Sequence, residues 1–74
     1  MKETKIKLES LEAVKEFVSA AEKCSFDIDV QYNRIVVDAK SFLAVLSLIK
    51  NPLLISSRGY DATFEKTLEK FAVC

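Results

Sequence analysis

The sequence predicts an α+β domain in which four strands and three helices follow one another in the order βαββαβα. Two observations carry this reading. The spacing of apolar residues switches repeatedly between a period of two and a period near 3.6, and turn or capping residues sit at the switches. Every long strand also has one apolar and one polar side, so all three helices can lie on one face of a single four-stranded sheet. A chain of 74 residues holds one domain, residues 1–74, and shows no internal repeat, linker or low-complexity tract.

The first strand is predicted over residues 5–9, where Ile6 and Leu8 alternate with Lys5, Lys7 and Glu9. Ser10 then offers a capping hydroxyl, and Leu11, Val14, Phe17, Val18 and Ala21 recur at helical spacing as far as Lys23. Phe26, Ile28, Val30 and Tyr32 alternate with Asp27, Asp29 and Gln31, which gives a second strand. Asn33-Arg34 turns the chain into a returning strand through Ile35, Val36 and Val37. A second helix is expected over residues 41–49, with Asp38 and Ser41 as candidate caps and Asn51-Pro52 as its terminator. Leu53, Leu54 and Ile55 open a fourth strand that ends near Arg58-Gly59. Asp61 caps a last helix that places Phe64, Leu68 and Phe71 at i, i+4 and i+7.

Composition excludes several kinds of function. Half the residues are apolar and 30% are charged, with one Gly and one Pro, as expected of an ordered domain rather than a disordered one. Eleven Lys and Arg balance eleven Asp and Glu, so no net field draws nucleic acid or an acidic membrane. Tyr32 and Tyr60 have no basic groove around them and read as packing or turn residues rather than a stacking platform. The single glycine is incompatible with a P-loop or a dinucleotide fingerprint. The chain has no histidine, which removes the usual proton shuttle and metal ligand near neutral pH. Asp27, Asp29 and Asp38 read as a solvated surface, so neither a metal nor a cofactor is expected. Cys24 and Cys74 lie fifty positions apart; so low a count favours free thiols and a reducing compartment, although spacing leaves a single bridge open. With a charged start and no apolar run near 20 residues, the chain reads as cytoplasmic, without signal peptide or membrane span.

The stretch Asp38-Ala39-Lys40-Ser41-Phe42-Leu43-Ala44-Val45-Leu46-Ser47-Leu48 resembles the second-helix segment of the HPr phosphocarrier proteins of the bacterial sugar phosphotransferase system. There Lys-Ser is followed by two large apolar residues, a small one, two more apolar ones and Ser-Leu. The likeness extends without a gap back into the first helix and covers most of the chain. It implies an open-faced β-sandwich with an antiparallel sheet, in a bacterial type of protein. The same register puts Ser10 where the family carries its phosphorylated histidine, Leu11 and Glu12 at the following Ala-Arg, and Ala13 at the proline. An acidic Glu9 and Glu12 replace the cation that a phosphoryl group wants, so Ser10 and Glu12 mark a degenerate active-site position.

Two further roles follow from the resemblance. Ser41 matches the family's regulatory serine, and a phosphate at a helix start meets the positive end of the dipole. Apolar residues surround the second helix, so one of its faces must look away from the sheet; Phe42, Leu43 and Leu46 match the family's exposed apolar patch that docks partners, and with Leu11 at the start of the first helix they form an expected contiguous apolar interface. The expected function is therefore a non-enzymatic, protein-binding or regulatory module without the phosphocarrier histidine, with phosphotransferase-system or regulatory proteins as partners. Two alternatives remain: a carrier phosphorylated on Ser41 or Ser10, and a structural domain that associates with itself as a homodimer.

Overall fold

A computed structural model describes residues 2–73 of the chain. Its elements are β1 (Lys2–Lys7), α1 (Leu11–Glu22), β2 (Ile28–Tyr32), β3 (Ile35–Asp38), α2 (Phe42–Leu46), β4 (Pro52–Ser57) and α3 (Ala62–Phe71). The strands form one antiparallel sheet in the order β1-β4-β2-β3. β1 and β2 flank β4, so the two sequence-distant halves are joined by long-range pairing, and the three helices cover one face. This is an open-faced α+β sandwich.

Alternation decides which side of each strand meets the helices. Ile6, Ile28, Val30, Leu53 and Ile55 point inward and are buried, together with Val14, Phe17, Val18 and Ala21 of α1 and Phe64 and Leu68 of α3. Phe17 and Phe64 meet with ring centroids 5.8 Å apart and planes inclined by 48°. Such a tilted aromatic contact adds about 1 kcal/mol to the area both rings bury.

Caps set the helix starts. Ser10 Oγ accepts from Ala13 N–H at 3.1 Å, and Asp61 Oδ1 accepts from Phe64 N–H at 2.9 Å; each is worth about 1 kcal/mol. Gly59 has a different reason. A Cβ there would stand 2.5 Å from the Phe26 ring, so only hydrogen fits between strand end and aromatic.

Several boundaries differ from the sequence expectation. β1 begins earlier and stops at Lys7, leaving Leu8 buried in the connection and Glu9 exposed. β2 starts at Ile28 because Phe26 turns onto Gly59 instead of entering the ladder. α2 ends at Leu46, not near Ile49. There the hydrogen bonds tighten to three residues: Leu48 N–H reaches Val45 C=O and Ile49 N–H reaches Leu46 C=O. Ser47 Oγ donates to Ala44 C=O, and the Asn51 side chain donates to Leu48 and Ile49 C=O, so side chains satisfy carbonyls that a longer helix would use. Lys50 takes a left-handed backbone, φ 70°, and its N–H donates to Leu8 C=O at 2.7 Å.

The caps expected for α2 also differ. Ser41 holds the N-cap position without a side-chain hydrogen bond, and Asp38 Oδ1 accepts from Lys40 N–H, closing the turn before the helix. β3 departs from the inside–outside pattern, since Ile35 and Val36 are both exposed. Cys24 is buried with a free thiol. Cys74, and with it any bridge between the two cysteines, lies outside the described residues.

Candidate functional site

The β1–α1 connection and the end of α2 come together, because Lys50 N–H is bonded to Leu8 C=O. The C-terminal end of α2 is thereby held beside the N-terminal end of α1. Leu11, the first residue of α1, is 47% exposed, and Leu43 of α2 is 76% exposed. Phe42 and Leu46 are half-buried and pack against the core, while Val45 between them is wholly buried. The amphipathic split in α2 thus divides its apolar residues. Val45 and the following Leu48 face the sheet, Leu43 faces solvent, and Phe42 and Leu46 straddle the boundary. Ile49, just beyond the helix, is half-buried against the core.

At the entrance of α1, Ser10 is exposed and its hydroxyl oxygen already serves as the cap. Glu9 and Glu12 are exposed beside it. The sequence offers no sign of what lies opposite. Ala72 pairs with Ile6 and Val73 N–H donates to Lys5 C=O at 3.0 Å, which draws the end of α3 alongside β1. A surface depression of about 320 Å³ results, lined by Lys7, Glu9, Ser10, Ala13, Lys70 and Phe71 with Ala72 and Val73. Its charge is mixed, not solely acidic. Lys70 is committed to an ion pair with Glu16 and lies 5.9 Å from the centre of the Phe71 ring, and Lys7 and Glu9 line the same depression.

Ser41 is exposed at the start of α2, where its hydroxyl makes no capping bond. The neighbouring Lys40 ammonium is turned away from it and donates to Cys24 C=O at 2.9 Å. Burial raises the Cys24 thiol above its ordinary value; the carboxylates of Asp61 and Glu65 raise it further and Lys40 opposes them. Asp29 on the open face of the sheet pairs with Arg58 at 3.8 Å, whereas Asp27 is exposed. Among the described residues no cluster of three or more His, Cys, Asp or Glu side chains is arranged to hold a metal ion, and no helix is long and apolar enough to cross a membrane.

The architecture matches solved structures closely. HPr-C-His from Thermoanaerobacter tengcongensis superposes with a TM-score of 0.74 at 29% identity, over 95% of this chain and 89% of that one. The fold is that of the HPr phosphocarriers. The phosphocarrier protein HPr from Bacillus anthracis str. Ames superposes with a TM-score of 0.68 at 24% identity, over 96% of this chain and 92% of that one. No protein-family model and no curated protein sequence matches the chain. The chain contains no histidine, and a serine, Ser10, caps the entrance of α1.

Proposed function

We propose that the protein is a non-catalytic, protein-binding or regulatory module of the phosphotransferase-system type, which keeps an HPr-like docking face and does not relay phosphate through a histidine. The exposure of Leu43, on a five-residue helix whose Val45 is sealed in the core, is the observation that carries this reading. Leaving a leucine in water forgoes about 1.5–3 kcal/mol of burial. A partner that covers Leu43 with Leu11, Phe42 and Leu46 recovers it. At Ser10 the hydroxyl is occupied as a cap and Glu12 stands where an incoming phosphoryl group needs a cation, which argues against transfer there.

The test combines phosphoryl transfer with binding. Incubation with phosphoenolpyruvate and the upstream enzyme of the phosphotransferase system should leave the chain unlabelled. A phosphotransferase-system protein should bind wild type and bind Leu43→Asp at least about tenfold more weakly, as loss of an interface anchor requires. Label on the chain, or equal binding by both forms, overturns the proposal.

A second reading is favoured by the exposed, uncapped hydroxyl of Ser41, which is open to a serine kinase. Phosphorylation would add nearly two negative charges beside Phe42 and weaken docking on the apolar face. Intact mass after treatment with an HPr-directed serine kinase decides it: one added phosphate, absent from Ser41→Ala, is expected, and an unchanged mass removes the reading.

A further inference from the structure

The two edges of the sheet are treated differently. The outer edge of β1 is occupied by the end of the chain, through the Ile6–Ala72 bridge and the Val73 N–H to Lys5 C=O bond. Its side chains include Lys5 and Lys7, which discourage further pairing. β3 forms the other edge; its inner side pairs with β2, and among the described residues no strand pairs with its outer side. It carries neither lysine nor proline, and Ile35 and Val36 are 50% and 57% exposed.

The direction of the free backbone groups follows from the ladder. Ala39 N–H donates to Ile28 C=O at 3.0 Å, and the register sets Asp29 opposite Asp38 and Gln31 opposite Val36. Antiparallel pairing alternates, so Ile35, Val37 and Ala39 turn their peptide groups toward β2, whereas Arg34, Val36 and Asp38 turn theirs outward. Charge adds an asymmetry. Asp38 lies beside Asp29 on the open face; Arg58 pairs with Asp29, and among the described residues no cation pairs with Asp38.

The segment Arg34-Ile35-Val36-Val37-Asp38 is self-complementary about its centre. We propose that β3 pairs antiparallel with β3 of a second copy of this chain, on a two-fold axis through Val36, to form a weak dimer with a continuous sheet. In this register Val36 N–H and C=O bond reciprocally to Val36 of the second copy. Asp38 N–H bonds to Arg34 C=O, again reciprocally. Arg34 lies opposite Asp38 and supplies the cation that Asp38 lacks, and Ile35 lies opposite Val37 on the helix side. Moving the axis to Val37 keeps the backbone bonds but opposes Arg34 to Lys40, so charge selects the Val36 register. Asp38 C=O already accepts from Ser41 N–H at 3.0 Å, which confines the ladder to those bonds. A single four-residue edge buries far less than the ~1,600 Å² of a standard stable interface, so dissociation constants of about 0.1–1 mM are expected.

Sedimentation and amide chemical shifts across about 10 µM to 1 mM test the dimer. The expected result is a rising weight-average mass, with concentration-dependent shifts concentrated at the amides of Val36 and Asp38. Val36→Pro removes a donor that no bond within the monomer uses and should abolish association with the far-ultraviolet spectrum retained. Arg34→Glu, at an exposed turn, should weaken association about tenfold without threatening the fold. Leu43→Asp should associate as wild type does, which keeps this surface separate from the α2 face. A constant mass over the series, wild-type association of Val36→Pro or Arg34→Glu, or loss of association in Leu43→Asp overturns the proposal.

Discussion

Cys24 shows how a residue's chemistry is set by its position at the end of α1. Its thiol is buried, Sγ–H points to Ala20 C=O at 3.6 Å, and burial with nearby Asp61 and Glu65 favours the neutral form. The folded state therefore holds this proton more tightly than the unfolded chain. Stability from this source is intact below the ordinary thiol range and is lost as pH climbs through it toward the raised folded value. Between about pH 8 and pH 10 the urea midpoint of wild type should fall more steeply than that of Cys24→Ala. Equal slopes would show that Cys24 does not titrate differently in the two states. Ser10 shows the opposite relation, since its cap bond was legible from residue type and position alone. Ser41 has the same residue type at another helix start and makes no such bond, because the Asp38–Lys40 turn sets the entry of the chain there.

At the scale of the element, α2 is informative because its apolar residues surround the axis and composition cannot say which of them are covered. The structure buries Val45, leaves Leu43 in solvent and shortens the helix by tightening its last turn. Val45→Ala should cost roughly 2 kcal/mol in urea denaturation, the lost methyl burial plus a residual cavity. Leu43→Ala should cost less than about 0.5 kcal/mol, as surface changes do. Similar costs at the two positions would mean that the face assignment of α2 is wrong. Periodicity identified where this helix starts and which residues compose it. It could not fix the end, because the side-chain bonds of Ser47 and Asn51 compete with the helix locally.

For the molecule as a whole, helices and sheet are held together by a core that leaves little redundancy. Phe64 of α3 reaches Phe17 of α1 in the centre of that core. Phe64→Ala should cost about 3–5 kcal/mol, a large share of what a domain of this length possesses. Unfolding followed by circular dichroism and by tyrosine fluorescence should shift together to lower urea; separate transitions would show that α3 detaches alone. The same closure that packs α3 also lays residues 72–73 along β1, which brings Lys7 and Lys70 to the entrance of α1 and blocks one sheet edge.

The order of elements, the α+β class, the side-chain caps of Ser10 and Asp61 and most of the core were determined by local pattern, because alternation and helical spacing are properties of neighbouring residues. The lack of an imidazole is likewise a fact of composition. Tertiary structure alone decided which α2 side chains meet solvent, how the charge around Ser10 is balanced and which edge of the sheet stays open. Each of these depends on segments far apart in the chain meeting across the core, and no local period encodes such a meeting.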